Sequence, residues 1–129
     1  MKTILIITTI LGGLAVALGA FGAHRLETKL DPAQLDTYQK AVQYHFVHVL
    51  ALLALVALYP KLPFGATQWA GYLFIAGIVL FSGSLYLWSS REILGIEGWR
   101  FLVFLTPIGG TAFIAGWISL CISALKYPA

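Results

Sequence analysis

The chain has 129 residues, of which 60% are hydrophobic and only 10% are charged, and its formal net charge is +3. Because a soluble domain is about a quarter charged, this composition excludes a protein whose whole surface faces water. The weak, scattered positive charge gives no patch for nucleic acid, and the single cysteine excludes a disulfide framework or a thiol cluster for zinc.

The first apolar run predicts a transmembrane helix, span 1, over about residues 3–23, roughly the 20 residues that cross a bilayer. A cleaved secretory signal has a shorter apolar core, so we interpret the run as a retained span. Small residues recur at every fourth position, at Ala15, Gly19 and Ala23. Such a face lets helix backbones approach closely in lipid. It predicts packing within the protein, with a dimer contact as the alternative.

The second helix is predicted to begin outside the membrane. Asp31 can cap it, Pro32 suits its first position, and Gln34 completes the pattern of a capping box. Apolar and aromatic residues then recur at helical spacing as far as Tyr59, and the proline that follows ends the helix. We therefore predict a helical extension outside the hydrocarbon, followed by span 2 over about residues 41–59.

Two further apolar runs predict span 3 over about residues 69–90 and span 4 over about residues 101–125. Their connectors are short, so neighbouring spans should be antiparallel. Glycines inside such runs allow close helix contacts. The predicted packing positions are Gly19, Gly83, Gly109 and Gly116. The predicted fold class is an all-α integral membrane four-helix bundle, a single membrane domain over residues 1–129 with a helical extension preceding span 2.

Four motifs stand out along the chain. They are Gly19-Ala-Phe-Gly-Ala-His24, Tyr44-His45 with His48, Leu80-Phe-Ser-Gly-Ser-Leu-Tyr86, and Thr106-Pro-Ile-Gly-Gly-Thr-Ala-Phe-Ile-Ala-Gly-Trp117. Together they resemble those of the YgdD/YwdK family. The likeness runs in order through almost the whole chain. It implies a small four-span protein of bacterial cytoplasmic membranes, with relatives in eukaryotes and unknown function. It implies no activity, cofactor or catalytic residue.

The expected location is the cell membrane, crossed several times, with an organelle inner membrane as the alternative. Lysine and arginine decide the orientation of such proteins, because loops rich in them stay in the cytoplasm. The side reached after spans 1 and 3 carries Arg25, Lys29, Lys40, Arg91 and Arg100. The opposite side carries Lys2, Lys61 and Lys126. This asymmetry predicts cytoplasmic loops after spans 1 and 3 and both termini outside.

The three histidines are predicted to lie on one side of the membrane, since His24 ends span 1 while His45 and His48 open span 2. His45 and His48 are three residues apart and share a helix face. Ionisable residues at membrane depth often mark a functional site. We therefore expect one polar pocket, with Arg91 or Tyr44 as a neighbour. The histidines could be structural, could bind a metal, haem or quinone, or could form a pH-sensing cluster.

The sequence favours a non-enzymatic protein, since it contains no nucleotide loop, no Ser-His-Asp order and no charged residue inside a span. The last point also argues against a proton relay or ion pump. One hypothesis is an oligomer or an accessory subunit of a membrane complex, whose partners are the lipid bilayer and a second copy or another membrane protein. The alternative is a protein that binds a cofactor, metal or quinone through its histidines. A transporter is third, and it would need to oligomerise. The sequence specifies no cofactor, and no nucleic acid partner is expected.

Overall fold

The computed structural model describes residues 1–127, which are helical apart from short connectors and contain no strand. Four helical segments are long and apolar enough to cross a membrane. They are Lys2–Leu26, Pro32–Lys61, Phe64–Ser89 and Leu102–Ala124. They pack into a helical bundle, so the predicted all-α membrane fold is confirmed. We keep the names span 1 to span 4 for these segments.

Span 1 consists of α1, Lys2–Phe21, followed by one π-helical turn over Gly22–Leu26. It therefore extends three residues beyond the predicted end. The Tyr38 ring packs against Gly22, and the Tyr38 hydroxyl donates to the Leu18 carbonyl at 2.7 Å. A π-turn disturbs the regular backbone ladder of a helix, and this tyrosine supplies an additional donor to it.

Span 2 lies within one continuous helix, α2, Pro32–Leu58, and one 3₁₀ turn follows over Tyr59–Lys61. The predicted capping box is confirmed. Asp31 Oδ1 accepts from the Gln34 amide at 2.8 Å, and Gln34 Oε1 accepts from the Asp31 amide at 3.1 Å. These two bonds satisfy orphan backbone donors at the helix start. The extension and the membrane-crossing part are therefore held as a single helix.

Span 3 begins at Phe64, five residues earlier than predicted. It consists of α3, Phe64–Gly77, a second π-turn, Ile78–Ser82, and α4, Gly83–Ser89. The early start follows from Pro63, which is extended and ends the connector. The Thr67 hydroxyl then donates to the Pro63 carbonyl at 2.6 Å and helps to close the first turn.

A short helix, α5, Arg91–Leu94, follows span 3 and ends at Gly95, which has a left-handed φ of 67°. A positive φ is readily adopted by glycine because it has no Cβ. Span 4 is α6, Leu102–Ala124. Its bounds agree closely with the prediction from the apolar run.

Spans 3 and 4 pack antiparallel along their whole length. A hydroxyl pair joins them at each end, between Thr67 and Ser123 and, at 2.7 Å, between Ser84 and Thr106. Between these ends, glycines of one span face aromatic residues of the other. The facing pairs are Phe74 with Gly116, Gly77 with Phe113, and Phe81 with Gly109. In lipid, such close contacts are a main source of helix association.

Span 3 contacts all three other spans, whereas span 1 packs mainly against span 2. Spans 1 and 4 share no extended contact within residues 1–127. They therefore flank a central pair formed by spans 2 and 3. The main apolar core lies between all four spans, and its fully buried members include Ile4, Leu52 and Phe74. This arrangement leaves a groove between spans 1 and 3, where the candidate site lies.

Candidate functional site

His48 is buried in an aromatic cluster between spans 2 and 4, with 4% of its surface exposed. Its Nδ1 lies 2.8 Å from the Tyr44 carbonyl, and the Trp117 indole nitrogen lies 3.3 Å from its Nε2. A carbonyl only accepts and an indole only donates, so the ring is neutral with its proton on Nδ1. The ring stacks on Phe113 at a centroid distance of 3.5 Å. Both nitrogens are satisfied, and His48 has no free lone pair for a ligand.

His45 lies one turn earlier on α2 and has a different environment. It is 1% exposed, and its Nδ1 lies 3.2 Å from the Tyr86 hydroxyl. Its Nε2 has no partner that meets hydrogen-bond geometry, although the Leu11 backbone lies close enough to interact with the imidazole. In either tautomer, one buried polar nitrogen of His45 is therefore left unpaired. Buried polar groups without a partner are uncommon in native proteins.

His45 lines a cavity of about 220 Å³ between spans 1 and 3. Its other lining residues are Leu11, Leu14, Leu18, Ile78, Val79, Gly83 and Tyr86. The walls are apolar except for His45 and the Tyr86 hydroxyl. The cavity is partly open.

The π-turn and Gly83 together shape one wall of this cavity. Ile78 and Val79 belong to the π-turn, and a Cβ added at Gly83 would meet no atom closer than the Ile78 carbonyl, at 4.0 Å. The sequence predicts that Gly83 is a helix-packing position. The structure corrects this, because no helix approaches it closely. π-turns occur often at functional sites, and the missing side chain at Gly83 keeps space open beside His45.

The structure does not form the predicted pocket of three histidines. His24 lies in the first π-turn with its side chain exposed, because its neighbours Gly22 and Leu26 occupy the buried face. Residues two apart on a helix do not face the same side. In residues 1–127 no group of three His, Cys, Asp or Glu side chains is placed to hold a metal.

Of the two residues predicted to lie beside the histidines, Tyr44 does so and Arg91 does not. The Tyr44 carbonyl contacts His48, as described above. Arg91 instead donates to the Trp88 carbonyl at 2.8 Å and lies over the Trp88 ring, 4.5 Å from its centroid. Its Nη2 is 3.7 Å from Glu92. Arg91 is therefore engaged at the membrane surface and is not a neighbour of His45 or His48.

The other predicted packing glycines lie in contacts of different closeness. A Cβ at Gly116 would lie 2.7 Å from the Phe74 ring, and one at Gly109 would overlap the Phe81 backbone. At Gly19, a Cβ would lie at an ordinary 3.4 Å from Val42. Sequence reasoning missed three glycines in tight contacts, which are Gly22, Gly71 and Gly77. The sequence shows that these residues are small, but it does not show which aromatic or aliphatic side chains of other helices pack against them.

Four apolar helices around a buried core of histidine, aromatic and small residues define a small polytopic membrane protein. Residues 18–110 match the family model described as "Protein of unknown function (DUF423)". The chain therefore belongs to this family.

Named relatives agree with this assignment over nearly the full length. The UPF0382 membrane protein YwdK of Bacillus subtilis is 45% identical, with 98% of this chain and 99% of the relative aligned. The UPF0382 inner membrane protein YgdD of Escherichia coli K12 is 35% identical, with 97% and 91% aligned. The resemblance identified from the motifs is confirmed. The protein is a multi-pass protein of the cell membrane. No solved structure matches the chain.

Proposed function

We propose that this protein binds a lipophilic molecule with a hydrogen-bonding oxygen, of the quinone class, at His45. The observation that carries the proposal is the buried and unpaired Nε2 of His45, a residue whose side chain borders an apolar cavity. Leaving such a group unpaired costs about 1–3 kcal/mol. A bound molecule that supplies the missing partner would recover much of that free energy.

The surroundings of His45 favour a neutral and largely apolar ligand. When the Tyr86 hydroxyl donates to Nδ1, the proton of the neutral imidazole is on Nε2. Nε2–H can then donate to a quinone carbonyl, while leucine and isoleucine side chains contact the ring and the start of its tail. No charged residue lines the cavity, so an ionic ligand would lack compensation in this environment. Metals in proteins are held by several ligands, and only one histidine lies here.

Binding of a short-chain naphthoquinone by the purified protein in detergent tests the proposal. We expect saturable binding to wild type, measured by quenching of tryptophan fluorescence and by thermal stabilisation. His45→Leu should weaken binding by roughly three- to tenfold, as expected for loss of one hydrogen bond of about 0.5–1.5 kcal/mol. Gly83→Phe should fill the cavity and abolish binding. The added Cβ would meet no atom closer than the Ile78 carbonyl oxygen at 4.0 Å, so the backbone can accept it.

His24→Leu serves as the matched control, because His24 is exposed and lies outside the cavity. This variant should bind like wild type. Absence of saturable binding to wild type would contradict the proposal. Unchanged binding by both His45→Leu and Gly83→Phe would place the ligand elsewhere and would also contradict it.

A second candidate function, an oligomer or an accessory subunit, is favoured by an exposed face of span 1. The small residues Thr9, Gly13, Ala17 and Ala20 are exposed on it. A Cβ at Gly13 would meet no atom within 4 Å. Faces of this kind favour helix–helix contacts in lipid. The small-residue face noted in the sequence is different, since Ala15 is fully buried and Gly19 lies against Val42. We propose that a second copy packs on the exposed face.

Disulfide cross-linking in native membranes tests this second candidate. In a Cys121→Ser background, Gly13→Cys should form a covalent dimer on oxidation. Leu14→Cys is the matched control, because the next residue has nearly the same depth but points about 100° away around the helix. Equal cross-linking of both variants, or none by Gly13→Cys, would contradict a second copy on this face. A cross-link to a different membrane protein would instead favour the accessory subunit.

A further inference from the structure

A second cavity, of about 250 Å³, lies between the last turns of span 1 and span 3. Its apolar walls include Leu18, Phe21, Leu26, Leu87, Ile93 and Leu94. Because both spans end on the same side, this cavity lies near one membrane surface. It is distinct from the His45 cavity, although Leu18 and Tyr86 border both.

Two basic side chains, Arg25 and Lys29, complete the lining of this surface cavity. Arg25 lies in the π-turn that ends span 1 and Lys29 lies in the turn that follows it, and both border the same cavity. Both residues are exposed, and neither forms an ion pair with any residue among 1–127. Glu27 stands between them in sequence, but it is not part of the lining. The surface cavity is therefore bordered by two cations that have no counter-ion within residues 1–127.

Charge and shape together define the ligand that would fit. Two adjacent cations favour a phosphate group, to which an arginine guanidinium can donate two parallel hydrogen bonds. The apolar walls below them favour a hydrocarbon chain. A molecule with both parts, aligned along the membrane normal, is a phospholipid. A net negative headgroup matches the site better than a zwitterionic one, which carries its own ammonium group.

We infer that the surface cavity binds an anionic phospholipid, with the phosphate at Arg25 and Lys29 and part of one acyl chain between spans 1 and 3. Anionic lipids attract basic residues near the membrane surface, and basic pockets between transmembrane helices bind their headgroups. The inference does not depend on the function proposed for His45, because Arg25 and Lys29 do not line the His45 cavity.

Competition between two lipids with identical acyl chains tests the inference. The full-length protein in detergent is mixed with phosphatidylglycerol or phosphatidylcholine, and bound lipid is counted by native mass spectrometry. Wild type should retain phosphatidylglycerol in preference. The double variant Arg25→Gln/Lys29→Gln should bind it more weakly by on the order of twentyfold, since each basic side chain contributes about fivefold. The double variant Lys40→Gln/Arg100→Gln removes the same charge on the same side but outside the cavity, and it should keep at least half of the wild-type affinity.

A substitution that blocks the apolar slot separates a binding site from general attraction to charge. Leu94 is exposed at the rim, so Leu94→Trp should fold while its indole blocks the slot, and phosphatidylglycerol binding should be lost although both cations remain. Four outcomes would overturn the inference. The first three are equal binding of the two lipids by wild type, equal losses in the two double variants, and full binding by Leu94→Trp. The fourth is displacement of the lipid by inorganic phosphate at no more than the lipid's own concentration, because the acyl chain would then contribute nothing to the affinity.

Discussion

The two buried histidines of α2 are separated by one helical turn and differ in how their ring nitrogens are bonded. Both nitrogens of His48 have partners, at the Tyr44 carbonyl and the Trp117 indole, whereas Nε2 of His45 has none. His48 thus links spans 2 and 4 and contributes to packing. Nε2 of His45 is the group at which we propose that a ligand binds.

Substitution of His48 should separate its hydrogen bonding from its volume. His48→Leu leaves the Trp117 N–H without its acceptor, so the free energy of unfolding should fall by about 1–3 kcal/mol. His48→Gln can still accept from Trp117 and should be less destabilising. Thermal unfolding in detergent, followed by near-UV circular dichroism of the tryptophans, gives the comparison. If the His48→Leu variant is as stable as wild type, the hydrogen bonds of His48 make no net contribution to stability.

Adjacent glycines in span 4 provide a matched test of close packing. Gly109→Ala would place a methyl group on the Phe81 backbone, whereas Gly110→Ala would place it 3.7 Å from the Phe81 ring, an ordinary contact. Overpacking typically costs about 1–3 kcal/mol, so Gly109→Ala should lower the unfolding temperature. Gly110→Ala should be neutral or slightly stabilising, because alanine favours helix over glycine. Equal effects of the two substitutions would show that spans 3 and 4 do not approach closely at Gly109.

At the scale of the helix, the π-turn in span 3 sets the register of everything that follows it. The Gly83 amide donates to the Ile78 carbonyl five residues earlier, so the turn holds one residue more than an α-helical turn. After this turn, Ser84 meets Thr106 and Tyr86 meets His45. Both contacts depend on the π-turn, because in a regular α-helix of the same sequence these residues would be rotated by about 100°.

Deleting Val79 should convert the π-turn into ordinary α-helix. Because the deletion removes the additional residue that the turn accommodates, the rest of span 3 should keep its rotation and its contacts with His45 and Thr106. We therefore expect folded protein, measured as monodisperse yield in detergent close to that of wild type. Deletion of Leu85, which lies beyond the π-turn, is the control and should lower the yield, because the residues on its two sides could no longer both keep their partners. A Val79 deletion that folds as poorly as the control would mean that the π-turn does not set this register.

At the scale of the whole molecule, spans 1 and 4 flank the central pair, and both proposed ligand cavities lie in the groove between spans 1 and 3. One cavity opens near the membrane surface beside Arg25 and Lys29, and the other lies deeper beside His45. The cavity beside Arg25 and Lys29 lies on the side of the membrane that the positive-inside rule assigns to the cytoplasm.

Orientation can be measured directly with reporter fusions at the carboxyl terminus. We expect alkaline phosphatase, which is active only outside the cytoplasm, to be active there, and green fluorescent protein to remain dark. A phosphatase inserted after Gly98 should be inactive. The reverse pattern would show that the lysine and arginine asymmetry does not set the topology of this chain. It would also place the basic cavity in the outer leaflet.

The sequence by itself determined the class of protein and most of its helices. Apolar runs of about 20 residues are sufficient for this, because lipid offers no hydrogen-bond partner and each span must satisfy its own backbone as a helix. Local hydrogen bonding could also be predicted from the sequence. The capping box requires only that Asp31 and Gln34 are three residues apart at a helix start. The start of span 3 was missed because Phe64 to Gln68 are compatible with both a connector and a first helical turn.

Only the tertiary structure decided which residues meet, because this depends on the rotation of each helix about its axis. Sequence spacing could place His24, His45 and His48 on one side of the membrane, but it could not show that His24 points outward. Likewise, Gly109 and Gly83 are equivalent small residues in the sequence. The π-turn before Gly83 rotates it towards a cavity, while antiparallel packing brings Gly109 onto the Phe81 backbone. Neither rotation is encoded by hydrophobic periodicity, which fixes the length of a span and leaves its partners undetermined.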